Sequence, residues 1–216
     1  MSSSSQNIVV LASGNGSNLQ AIMDACAAGQ ILGQVAAVIC DRSDAFALER
    51  AQAAGIPTAV LRQRDFADRA AFDAALAEQV DHYQPAVVIL AGFMRVLSDA
   101  FVQRFSGKLL NIHPSLLPKY PGLNTHQRAI DAGDTVHGAS IHFVTEQLDG
   151  GPIILQAQVP IFDDDTAADV AQRVQEQEHR SYPLVIKWFL EGRLQYQNQQ
   201  ALMDGEPLPA QGYAAE

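Results

Sequence analysis

Apolar positions along the chain come in two periods that take turns. Residues 7–12 form a near-continuous apolar run, the pattern of a parallel strand buried on both faces. A Ser-Gly-Asn-Gly-Ser-Asn turn follows, and then Leu19, Ile22, Met23 and Cys26 recur at helical steps. Residues 35–40 predict a second strand, and 44–54 a helix closed by Gly55-Ile56-Pro57. Residues 58–61 predict a third strand, 65–82 a longer helix and 85–92 a fourth buried strand.

Strands alternating with helices predict an α/β fold: a doubly wound, Rossmann-like, mostly parallel sheet with helices on both faces. Residues 138–144 alternate as a half-buried strand, and 153–160 pair back after a polar turn as an antiparallel arm, so the sheet becomes mixed toward the C-terminal half. Thr166 and Asp169 form a capping box that opens a helix through Tyr182. Pro183 is expected to kink or restart it before Trp188. Residues 115–134 have few apolar repeats and carry Pro118, Pro121, Gly122 and Gly133, which predicts a long, lid-like connection. Residues 1–6 read as a disordered lead-in, 7–203 as one domain and 204–216 as a loose tail.

Ligands of such sheets bind beyond the carboxyl ends of the strands, here residues 13–18, 40–41, 92–95 and 111–114. The first of these ends is a glycine-rich turn opening a helix. Free N–H groups there suit a phosphate, the glycines let the backbone approach, and Ser17 or Asn18 can cap the helix. An ordinary tight turn is the plainer alternative. A dinucleotide site is the other, with Asp41 as the ribose-binding acid, although Leu19 stands where a third glycine or alanine belongs.

The last strand end carries Asn111 and His113. Alternate side chains of an extended segment point the same way, and the neighbouring prolines disfavour helix. An amide and an imidazole facing one spot make an oxyanion-stabilising pair; an incidental histidine at a strand end fits the same spacing. Asp149 lies in a glycine-rich turn from which a carboxylate could meet His113 and stabilise its imidazolium. Ser115 has no G-x-S-x-G elbow around it, so a serine hydrolase fits poorly. Arg69, on a helix, reads as a solvated arginine.

Composition narrows the partners. The 216 residues are 48% hydrophobic and 18% charged, enough for one good core without disulfides or metal. Cys26 and Cys40 read as buried reduced thiols, and neither they nor His137 and His142 have metal-ligand spacing. The net charge of −10 argues against nucleic acid and anionic membrane as partners. It leaves room for a small anionic substrate. With no signal peptide and no apolar run near the ~18 residues that span a bilayer, the expected compartment is the cytoplasm.

Residues 13–18, Ala91-Gly92-Phe93-Met94-Arg95, Asn111-Ile112-His113-Pro114-Ser115-Leu116-Leu117-Pro118 and Leu148-Asp149-Gly150-Gly151 together resemble the formyltransferase family that uses 10-formyltetrahydrofolate. The likeness runs from Asn7 to about Tyr213. The Gly-Asn-Gly-Ser-Asn turn points to the branch that formylates the amine of N1-(5-phosphoribosyl)glycinamide in de novo purine biosynthesis. The resemblance implies a catalytic set of Asn111, His113 and Asp149. Asn111 and protonated His113 would stabilise the tetrahedral oxyanion, and Asp149 would orient and charge His113. It implies that Asn15, Gly16, Ser17, Asn18, Gln175 and Glu178 hold the phosphoribosyl substrate. Arg69, Met94, Arg95, Val96, Leu97, Asn111, Thr145, Leu148 and Asp149 would hold the folate, a formyl-donor co-substrate, with no metal. Partners would be small molecules only, with the chain a monomer or homodimer.

Sister enzymes share the catalytic motif. A methionyl-tRNA formyltransferase would carry an added RNA-binding domain and basic surface. A formyltetrahydrofolate hydrolase would usually carry an N-terminal regulatory domain, and a dinucleotide-dependent oxidoreductase is a more distant alternative. A non-catalytic binding module of this fold is a further one, against which the intact catalytic set argues.

Overall fold

The computed structural model describes residues 6–213. The first five residues of the expected lead-in, and residues 214–216 of the expected tail, lie outside them. Gln6 already opens the first strand.

Seven strands form one sheet: β1 (Gln6–Ala12), β2 (Gly33–Cys40), β3 (Thr58–Val60), β4 (Val87–Leu90), β5 (Leu109–His113), β6 (Val136–Phe143) and β7 (Ile153–Pro160). Their order is β3-β2-β1-β4-β5-β6-β7. Every pair from β3 to β5 is parallel, and β5-β6 and β6-β7 are antiparallel. The mixed α/β sheet expected from the apolar periods is therefore observed.

Successive residues of β1 serve opposite faces, as strand geometry requires. Ile8, Val10 and Ala12 join the core under α1 (Ser17–Ala27), α2 (Phe46–Ala53) and α6 (Ala167–Leu190). Val9 and Leu11 join Phe72, Leu76 and Val80 of α3 (Arg69–His82) and Phe101 of α4 (Asp99–Arg104). Cys40 is buried and Cys26 half-buried, both unpaired, and burial pushes their thiols up to about 12 and about 11.

Three expectations need correction. The helix that Pro183 was to interrupt runs through it as 24 residues. An interior proline costs about 3 kcal/mol, but Tyr182, Val185 and Ile186 beside it are fully buried, at about 1.5–3 kcal/mol per large apolar side chain. Packing on both sides of the proline outweighs the break. The connection 115–134 contains α5 (Thr125–Asp131) and is tied down from within. Ser115 Oγ donates to the Lys119 carbonyl at 2.6 Å, Thr125 Oγ1 to the Pro114 carbonyl at 2.6 Å, and Tyr120 Oη to Asp134 at 2.7 Å. Finally, the chain beyond α6 forms a small sheet of β8 (Leu194–Gln197), β9 (Gln200–Met203) and β10 (Glu206–Pro207), and Tyr213 bridges to Leu155. The described part of the tail is packed, because backbone groups there find partners on β7 and on one another.

Candidate active site

One cavity of about 780 Å³ opens at the carboxyl ends of β1, β4 and β5. It has the volume of a small-molecule site. Asn15, Gly16, Ser17, Asn18, Met94, Arg95, Val96, Leu97, Asn111, His113, Thr145, Leu148, Asp149, Gln175 and Glu178 all line it. These residues singled out in sequence, from five separate stretches, thus share one space. Arg69 does not line it. That residue begins α3, half-exposed, and its guanidinium donates to the Val96 carbonyl at the rim.

The first turn is built for close approach. Gly16 has φ +77°, and a Cβ there would lie 2.8 Å from Ala47 Cα on α2. Only glycine accepts both constraints without strain. No side chain caps α1, so the N–H groups of its first turn face the cavity uncommitted. The expected cap by Ser17 or Asn18 is not formed, since the helix starts at Ser17 itself. Asn18 Nδ2 instead donates to Glu178 Oε2 at 3.0 Å. Burial raises the Glu178 carboxyl above its usual range, against the opposing effect of the Asn18 bond. The Ser13 main-chain N–H donates to the Gly92 carbonyl at 3.0 Å, and Ser13 Oγ accepts from the Met94 N–H at 2.8 Å. The turn and the 92–97 wall are thereby joined.

At the other end, Asn111 and His113 do point the same way from β5, as alternation requires. Asp149 Oδ2 lies 3.6 Å from His113 Nδ1, both side chains being more than nine-tenths buried. That separation is longer than a hydrogen bond. Asp149 is held at φ +50° and accepts from the Gly122 N–H at 3.2 Å. His113 Nε2 lies 2.9 Å from the Tyr120 carbonyl. Both ring nitrogens therefore face oxygen atoms, Nε2 within hydrogen-bond distance and Nδ1 beyond it. Asn111 Nδ2 lies 3.3 Å from His142 Nε2 on the paired strand.

The dinucleotide alternative loses its acid. Asp41 Oδ2 accepts from Arg95 Nε at 2.7 Å, and the Arg95 guanidinium lies 5.5 Å from the centroid of the Phe72 ring. Leu19, in place of the third glycine, is fully buried in the core.

Sequence reading missed Tyr120, Gly122, His142 and Arg50, each of which touches a singled-out residue. His142 stands opposite Asn111 in the β5-β6 register. That pairing follows from the antiparallel β5-β6 register across a long connection, and no local pattern encodes it.

The α/β sheet thus carries a glycine turn and an Asn–His–Asp constellation on one cleft, and its relatives are transferases. Residues 6–186 match the formyl transferase family, and the chain belongs to it. It is 59% identical to the phosphoribosylglycinamide formyltransferase of Escherichia coli K12, over 97% of this chain and 99% of that one. It is 43% identical to a stretch of the bovine trifunctional purine biosynthetic protein adenosine-3, over 86% of this chain and 18% of that one. A solved phosphoribosylglycinamide formyltransferase from Coxiella burnetii superposes with a TM-score of 0.94 at 50% identity, covering 97% of this chain and 98% of that one.

Proposed function

We propose that the chain transfers the formyl group of 10-formyltetrahydrofolate to the amine of N1-(5-phosphoribosyl)glycinamide, a step of purine biosynthesis. The observation that carries this reading is the single cavity joining the uncapped start of α1 to Asn111, His113 and Asp149. An acceptor with a phosphate on Asn15, Gly16, Ser17 and Asn18, and with Gln175 and Glu178 alongside, would present its amine to the far end. The folate would lie against Met94, Arg95, Val96, Leu97, Thr145 and Leu148, its anionic end toward Arg69.

The free-base amine attacks the formyl carbon. Charge gathers on the formyl oxygen, which receives hydrogen bonds from Asn111 Nδ2 and from His113 Nε2; the Nε2 hydrogen turns from the Tyr120 carbonyl to the oxyanion and stays on His113. Preorganised donors of this kind contribute about 2.7–4 kcal/mol each to such transition states. Asp149 faces the other ring nitrogen and stabilises the imidazolium. The amine proton reaches the departing N10 through water, and the C–N10 bond breaks. No residue of this set requires a metal. We assign the enzyme to the cytoplasm, acting on small molecules as a monomer or homodimer; the net charge of −10 argues against a nucleic-acid partner, and no described helix is long and apolar enough to cross a membrane.

The test mixes both substrates and identifies the products. Formylated ribonucleotide is expected; free formate alone would mean a hydrolase, and turnover of a nicotinamide cofactor a dehydrogenase. His113→Ala and Asp149→Asn are each expected to slow turnover by at least about two orders of magnitude. The rate should fall at acid pH as the amine protonates, and a rate still rising toward acid would sink the mechanism.

A further inference from the structure

Arg50 lies on α2, outside every motif discussed so far, and grips one residue of the first turn twice. Its Nε donates to the Asn15 main-chain carbonyl at 2.8 Å and its Nη2 to Asn15 Oδ1 at 2.9 Å. A guanidinium has donors and no acceptor. The Asn15 amide oxygen must therefore face Arg50, which leaves the Nδ2 hydrogens for whatever the cavity binds. The grip is itself supported. The arginine packs over Phe46, its guanidinium 4.8 Å from the ring centroid, and the Ala47 N–H donates to the Gly14 carbonyl at 3.0 Å. Nη1 has only a long contact to Gln20 Oε1, 3.4 Å.

We propose that Arg50 is a positioning residue for the phosphate of the acceptor. By holding both oxygens of Asn15 it turns that residue's amide donors, together with the free N–H groups of α1, toward the anion. It also adds a positive charge beside them in a chain of net charge −10. This rests on reading the first turn as the phosphate site. Lysine cannot substitute, because a single ammonium does not hold two oxygens in one plane.

The experiment compares wild type, Arg50→Gln and Arg50→Lys by steady-state kinetics in both substrates, inhibition by inorganic phosphate and thermal melting. In wild type, phosphate should compete with the phosphoribosyl acceptor and not with the folate. Arg50→Gln should raise the acceptor KM and the phosphate inhibition constant together, by at least about tenfold, the effect of a lost charge-assisted bond. Turnover at saturation, folate KM and melting temperature should stay near wild type, and Arg50→Lys should remain close to Arg50→Gln. Wild-type kinetics in Arg50→Lys would overturn the fork argument. An unmoved acceptor KM in Arg50→Gln, a parallel rise for both substrates, or a melting loss without a kinetic split would overturn the positioning role. Wild type that phosphate does not inhibit competitively would overturn the phosphate site itself.

Discussion

Asn111 and His142 face each other across β5 and β6, and one proton decides which way the Asn111 amide points. His142 Nδ1 lies 2.9 Å from the Phe143 carbonyl, which can only accept, so Nδ1 carries hydrogen. Burial lowers the His142 pKa, outweighing the Phe143 bond that opposes it, and keeps the ring neutral. Its Nε2 is then an acceptor, 3.3 Å from Asn111 Nδ2. One amide hydrogen is fixed there and the other is free for an oxyanion.

From this pair follows a coupling. Asn111→Ala should lower kcat by about two to three orders of magnitude, as loss of an oxyanion donor does. His142→Ala should lower it about tenfold with little change in either KM, since it acts only through the amide's orientation. The double variant should be no slower than Asn111→Ala. Effects that multiply in this double-mutant cycle would mean the two side chains act separately.

Glu178 should trade stability for binding. Its carboxyl is raised by burial, so the folded protein holds that proton to higher pH than the unfolded chain does. The ionised form is the costly one, and stability falls as pH rises from the ordinary value of 4.5 through the raised folded value. Glu178→Gln retains an acceptor for Asn18 without the charge. A higher melting temperature at neutral pH, a gain that vanishes below pH 4.5, and a weaker acceptor KM are expected. Calorimetry showing a less stable Glu178→Gln protein at neutral pH would contradict this.

His137 should set part of the acid limit. It is pushed down to about 4, chiefly by burial and then by His126, with Asp134 opposing; its Nε2 lies 3.1 Å from His126 Nδ1. The unfolded chain takes this proton first, so stability is intact above the ordinary pKa of 6.5 and is lost as pH falls toward 4. His137→Asn should lose stability less steeply across that window in thermal melts. An unchanged slope would locate the acid-sensitive proton elsewhere.

The docked end of the chain should matter for folding. The Tyr213 N–H donates to the Ile154 carbonyl at 2.7 Å, and its ring lies 5.0 Å from that of Trp188. Gly212 has φ +79°, and a Cβ there would meet the Ile154 carbonyl at 2.5 Å. Gly212→Ala should therefore cost about 1–3 kcal/mol in denaturant unfolding. A loose tail would tolerate it.

Legibility tracked the length of each pattern. The runs of β1, β2 and β4 were readable because strands buried on both faces must be apolar throughout. The six residues of α4 and seven of α5 were not, being too short for a helical period to stand out. Asn111 and His113 could be paired in advance, since alternation is a property of one strand.

By itself, then, the amino-acid sequence determined the α/β class, the glycine turn at the cleft and the shared face of Asn111 and His113. These depend on backbone geometry over a few neighbouring residues. Only the tertiary structure decided that helix α6 continues through Pro183, that His142 and Tyr120 contact Asn111 and His113, and that Arg50 holds the amide of Asn15. Those outcomes depend on register, burial and contacts between distant segments, and their free energies arise only when the segments pack.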